Sequence, residues 1–184
     1  VITIDPEKGG IVKVEMLRHK LEKKAAGNMV LGHEDFPMLA PAGRPDKFEF
    51  SHARILEQTD VKLKIARHLL GTDIVVEQTW QIDPESYSLD YTLGFRNLSD
   101  KAVAIPELML NAGYMGPLHT PRGFMGAGGI DQAVQFLERG SSKSDTEQVR
   151  SVFGADDDDT KEWAETPVQW VAIQNKYLVA LLSN

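Results

Sequence analysis

Ile74-Val75-Val76-Glu77-Gln78-Thr79-Trp80-Gln81-Ile82, then Asp83-Pro84-Glu85-Ser86, then Tyr87-Ser88-Leu89-Asp90-Tyr91-Thr92-Leu93-Gly94-Phe95-Arg96, is the stretch that decides the fold class. In the first run Ile74, Val76, Gln78, Trp80 and Ile82 share one side. In the second, Tyr87, Leu89, Tyr91, Leu93 and Phe95 share one side, with Ser88, Asp90, Thr92 and Arg96 on the other. A period of two is that of a strand, whose successive side chains point to opposite faces. The residues between are turn formers. Two alternating runs joined by a short polar turn pair antiparallel.

The same pattern extends in both directions. Val12, Val14 and Met16 alternate with Ile11, Lys13 and Glu15; Phe48 and Phe50 alternate with Glu49 and Ser51; Val61, Leu63 and Ile65 alternate with Lys62 and Lys64. After the turn Asn97-Leu98-Ser99-Asp100-Lys101 a further strand is expected from Val103 to Leu110, with Pro106 marking an edge or a bulge. Pro117 to Gly129 reads as an ordered Gly/Pro loop, Ile130 to Leu137 as a short helix, and Glu138 to Lys161 as a long polar excursion. Val168 to Leu182 fits a closing hairpin broken at Gln174-Asn175-Lys176. Trp170, Ile173 and Tyr177 also fit helical spacing, so both readings stand. The sum is an all-β domain of mostly antiparallel strands, with one or two short helices, spanning 1–184 as a single two-sheet sandwich.

Composition narrows the function. The chain has 184 residues, 42% hydrophobic and 26% charged, as in an ordinary globular domain. A net charge of -7 argues against nucleic acid and against flat docking on anionic lipid, because both attract basic surfaces. The absence of cysteine excludes disulfides and thiolate metal sites. No apolar run approaches the roughly 20 residues that span a bilayer. The chain opens at Val1 in strand-like sequence and closes at Asn184 after an apolar stretch, so a piece of a longer protein is expected.

Several segments in order resemble one family. Ile2-Thr3-Ile4, Gly9-Gly10-Ile11, Val14 and Leu17 resemble the opening of the periplasmic domain of YidC-type membrane protein insertases. Trp80-Gln81-Ile82, the Tyr-led strand Tyr87 to Tyr91, and the turn Asn97-Leu98-Ser99 follow the same succession. The most specific part is Trp170-Val171-Ala172-Ile173-Gln174-Asn175-Lys176-Tyr177, similar to the closing Trp-Val-Ala strand of that family. The resemblance implies a β-supersandwich of the galactose-mutarotase-like kind, on the periplasmic face of the bacterial inner membrane, between the first and second membrane helices of the insertase. It implies a chaperone-like accessory role without catalysis, contact with Sec translocon components or nascent membrane proteins, and no cofactor. The acidic run Asp156 to Asp159 has no counterpart in the pattern.

The fold that the resemblance implies also hosts sugar epimerases and carbohydrate-binding domains, so a site must be sought in the residues. Mutarotation needs a general acid and base facing one sugar, usually a His and a Glu. The histidines are His19, His33, His52, His68 and His119, with Glu34, Glu107 and Asp131 as possible carboxylate partners. His33-Glu34-Asp35 offers the residue types. Neighbours on a strand point to opposite faces, and in a loop they are solvated. His119 with Arg122 reads better as a loop held by Pro121 and Gly123, and His68 as a surface or core-edge residue. Asp156 to Asp159 lacks the ligand spacing and bend glycine of a calcium loop. Gly126-Ala127-Gly128-Gly129 has no following Lys-Ser or Lys-Thr for a phosphate loop. Trp80, Trp163 and Trp170 could stack on sugars; for Trp80 and Trp170 the strand stripes assign packing instead. No residue is assigned a catalytic, cofactor or metal role. An aldose-mutarotase-like epimerase or a carbohydrate-binding module is the alternative.

Overall fold

Alternating β-branched and aromatic residues place the chain in strands, and each strand's register fixes which side chains face inward. The computed structural model describes residues 1–20, 28–35, 37–42, 49–86, 88–104, 109–111, 113, 133–148, 168–174 and 179–183. Among them are thirteen strands and no helix: β1 (Ile2–Asp5), β2 (Gly10–Lys20), β3 (Asn28–Leu31), β4 (Pro41–Ala42), β5 (Arg54–Gln58), β6 (Lys62–Leu69), β7 (Ile74–Ile82), β8 (Leu89–Asn97), β9 (Met109–Leu110), β10 (Ala133–Glu138), β11 (Asp145–Gln148), β12 (Val168–Gln174) and β13 (Val179–Ser183). The resolved pairings between them are antiparallel.

The chain divides into two compact units. One comprises 2–13 and 37–111, and the other Val1, 14–36 and 112–184. The first is built on the sheet β5-β6-β7-β8. Register puts Leu63, Ile65, Arg67 and Leu69 opposite Trp80, Gln78, Val76 and Ile74, and these in turn opposite Tyr91, Leu93, Phe95 and Asn97. That face is the core side. Ile65, Leu69, Ile74, Val76, Gln78 and Trp80 are all buried, and Phe50, Leu93 and Val103 pack on the Leu69–Ile74–Val76 cluster. The other face carries a charge ladder beside the buried Ala66 and Val75. Lys62 bonds Glu57 at 2.7 Å, Lys64 bonds Glu77 at 2.8 Å, and Arg96 Nε reaches Glu77 at 3.3 Å. In the same unit Ile11 bridges Met38, and β4 pairs β9.

In the second unit β2 pairs β3, with Val14 opposite Leu31, and four strands run in the order β11-β10-β12-β13. Its buried side chains include Phe136 and Ala172. The closing hairpin forms as β12 and β13, with Ala172 opposite Leu181, so the helical alternative for 168–182 does not hold.

Three expectations are corrected. The short helix expected over Ile130 to Leu137 is strand β10 from Ala133 onward, because β11 on one side and β12 on the other supply ladder partners that a local pattern cannot register. The expected excursion from Glu138 is interrupted at once by a hairpin: Ser141 N–H bonds the Glu138 carbonyl and the chain returns as β11. The strand expected over Val103 to Leu110 is reduced to Met109–Leu110, with 102–104 irregular and 105–108, including Pro106, outside the described residues. The Gly/Pro loop and most of the acidic segment also lie outside them.

The ladder has a pH signature. Glu77 has a pKa below its ordinary 4.5, first through the hydrogen bond from Lys64, with partial burial opposing and the Lys64 charge and Arg96 adding. A depressed carboxylate contributes stability above its unfolded value and loses it as pH falls through the folded one. Urea denaturation between about pH 3 and 7 should therefore find Glu77→Gln less stable than wild type at neutral pH, and the two converging in acid.

Candidate functional site

A strand turned toward a core places a side chain there whatever its polarity, and β6 and β7 each place a polar one. Arg67 is 3% exposed and Gln78 is 0% exposed, the two buried polar residues among those described. Arg67 Nη1 donates to the Glu7 carbonyl at 2.8 Å, and Nη2 donates to Gln78 Oε1 at 2.7 Å. The guanidinium carbon lies 4.3 Å from the centre of the Phe50 ring, within cation–π range. Because Arg can only donate, Gln78 must turn its oxygen toward it. The amide nitrogen is then free to donate to the Gly9 carbonyl at 2.7 Å and to Tyr91 Oη at 3.0 Å. Tyr91 packs on Trp80 with ring centroids 5.5 Å apart.

What these groups grip is a backbone turn. Asp5 Oδ1 accepts from the N–H groups of Glu7 and Lys8, and its carbonyl accepts from Gly9 N–H at 2.8 Å. Gly9 has φ 68°, and a Cβ there would overlap the Arg67 guanidinium. At Gly10 a Cβ would lie 2.8 Å from the Met38 carbonyl oxygen and 2.9 Å from the Cβ atoms of Pro37 and Ala40. The Gly-Gly pair is thus demanded twice, by a left-handed turn and by close approach on both sides.

The electrostatics follow from burial. Desolvation lowers the pKa of Arg67, against which Tyr91, Glu7 and Asp5 pull in the other direction. No carboxylate among the described residues lies within ion-pair distance of Arg67, so neutral carbonyl oxygens and an aromatic face carry its charge. Desolvation pushes Tyr91 up to about 12, opposed by the Gln78 hydrogen bond and the Arg67 charge. Arg67 Nε and Trp80 Nε1 are buried with no acceptor among the described residues. The cluster's contacts are donors on carbonyl or hydroxyl oxygens, the chemistry of a lock on a backbone turn.

The sequence candidates fall elsewhere. His33, Glu34 and Asp35 lie exposed at a turn, with His33 Nδ1 accepting from Asp35 N–H at 3.1 Å. His68 is half-buried on the charge-ladder face of β6, and its N–H bonds Ser51 Oγ. Trp80 is 1% exposed, so packing is its duty, and Trp170 is half-buried in β12. The His19 side chain, Glu107, His119, Arg122, Gly126 to Gly129, Asp131, Asp156 to Asp159 and Trp163 lie outside the described residues. A His–Glu pair that sequence reading did not join does form: His52 Nδ1 stands 3.1 Å from Glu7 Oε2, and Ala53 N–H bonds Glu7 Oε1 at 3.2 Å. The His52 side chain is 99% exposed, which leaves the pair in water. No group of three His, Asp or Glu among the described residues has metal-holding geometry.

The chain matches no family model, no curated protein and no solved structure.

Two substitutions test the lock. Gly9→Ala combines a positive φ with overlap on a buried guanidinium. It should cost about 2 kcal/mol or more, read as a lower urea midpoint at unchanged slope. Tyr91→Phe removes an acceptor worth about 1 kcal/mol. The folded pKa of Tyr91, about 12, lies above its ordinary 10.0, so its contribution is whole below pH 10 and lost as pH rises toward 12. Alkaline denaturation should show that loss in wild type and a smaller one in Tyr91→Phe.

Proposed function

We propose that this chain is the extracytoplasmic β-supersandwich domain of a YidC-type membrane protein insertase, on the periplasmic face of a bacterial inner membrane. In this reading it performs no catalysis. It offers a protein surface to Sec translocon components or to nascent membrane proteins, while the membrane helices of the full-length protein carry out insertion.

The observation that carries the reading is the order of motifs along an all-β chain. A first strand and a Gly-Gly turn come first; Trp80 and Tyr91 on paired strands follow, then the turn Asn97-Leu98-Ser99, then a closing hairpin opened by Trp170. Two of these have a physical reason to be kept. Gly9 and Gly10 accept close neighbours that no Cβ would allow. Asn97 Oδ1 accepts from Ser99 N–H at 3.0 Å while its Nδ2 donates to the Lys101 carbonyl at 2.6 Å, which fixes the turn. An acidic domain of this kind is repelled by anionic headgroups and stands off the bilayer.

The epimerase alternative has the His52–Glu7 pair in its favour. Its exposure weighs against it, because acid–base work on a sugar needs two groups converging in a desolvated cleft.

The parent coding sequence gives the first test. One membrane-spanning segment before Val1 and several after Asn184 are expected, and soluble sequence on both sides would overturn the reading. The second test is anomer exchange followed by polarimetry on glucose and galactose. The rate is expected to equal that of buffer, and an acceleration abolished by His52→Ala would establish the epimerase instead.

A further inference from the structure

β8 is the last strand of the sheet β5-β6-β7-β8 and, among the described residues, is hydrogen-bonded to β7 alone. Its outer edge has no strand partner among the described residues. An open edge presents a row of unpaired N–H and C=O groups, and proteins usually blunt it with a bulge, a proline or a very short strand. At the opposite side of the sheet, β5 has five residues and a register shift between Ile55 and Glu57. β8 has none of these devices. It runs nine residues, Leu89 to Asn97, in unbroken register with β7 and contains no proline.

The sequence of β8 is complementary to itself when read backwards. Antiparallel pairing of two copies about Leu93 sets Leu93 opposite Leu93, Thr92 opposite Gly94, Tyr91 opposite Phe95, Asp90 opposite Arg96 and Leu89 opposite Asn97. Asp90 and Arg96 are exposed and lie on the same face, opposite Gln81 and Val75 of β7, so across the axis they meet as two opposite-charge pairs. Tyr91 and Phe95 lie on the other face and meet as two aromatic pairs. The charged partners are free to do so. Among the described residues the Asp90 side chain has no hydrogen bond or ion pair, and the Arg96 side chain uses only Nε, on Glu77, leaving its terminal nitrogens available. Phe95 is 36% exposed for a core-facing aromatic, and Leu98 just beyond it is 52% exposed.

We infer that the outer edge of β8 is a homotypic interface, through which two copies of this chain join their four-stranded sheets into one antiparallel sheet about a two-fold axis at Leu93. Self-complementarity of one patch is what a two-fold interface requires. The pairing forms roughly eight to ten inter-strand hydrogen bonds, as many as a typical protein interface carries. The inference rests on β8 alone and stands whether or not the insertase reading does.

Sedimentation equilibrium of the 184-residue chain from about 10 μM to about 1 mM tests it. Wild type is expected to form dimers, and a monomer throughout would overturn the inference. Asp90→Arg alone sets arginine against arginine twice, and Arg96→Asp alone sets aspartate against aspartate twice. Each should weaken the dimer by about 10-fold or more. An equimolar mixture of the two single variants restores both charge pairs and should recover dimers, as should the double variant in one chain. Singles that dimerise as wild type does, or a mixture that stays monomeric, would overturn the interface.

Discussion

The Arg67 guanidinium, buried with no carboxylate partner among the described residues, is the constraint on which the first unit depends. A cation removed from water must be met by oriented acceptors or an electron-rich ring, and here Glu7, Gln78 and Phe50 supply them. Meeting it fixes the rest in turn. Gln78 is held with its oxygen toward the arginine, its nitrogen then fixes the Gly9 carbonyl, and Tyr91 closes the network against Trp80. Replacing one member leaves another unpaired in a dry place, where an orphaned polar group costs about 1–3 kcal/mol. An apolar core would pack these strands equally well. It would not specify where the first turn of the chain docks.

The sheet that carries this lock is two-sided, with its charge ladder confined to one face. Its inner face holds the arginine network and the Leu69–Ile74–Val76 cluster, and its outer face holds Lys62, Lys64, Glu57, Glu77 and Arg96 in alternating sign. A one-residue slip of any strand would exchange the two sets, bringing the ladder into the core. Register is therefore fixed from both faces at once, which suits a strand whose edge is open.

Much of this was legible in the chain. The Ile74 to Arg96 alternation gave two adjacent antiparallel strands with the correct inner and outer sets, and Gln78 stood within the apolar stripe as the one polar intruder. Its partners stayed hidden because Arg67 looks like any strand arginine until Gly9, far away in sequence, is brought beside it. β5 escaped because all five of its residues are exposed and show no alternation. β10 was misread because Val134, Phe136 and Leu137 suit either period, and only the flanking ladders decide between them. The His52–Glu7 contact likewise joins residues 45 apart, beyond any local pattern.

Sequence distance gives the lock a place in time. Arg67 and Glu7 are 60 residues apart and Gln78 and Gly9 are 69, whereas β6 and β7 meet across a four-residue turn. Closing a short loop is fast and local, and closing long ones waits for structure that rewards it. On a ribosome adding roughly 5–20 residues per second, the Gly-Gly turn emerges before its receptor and waits seconds for it. A segment made well before its partners is thus secured only after them. Until β7 has paired with β6, the opening strand has nothing to lock onto and depends on whatever surroundings receive it.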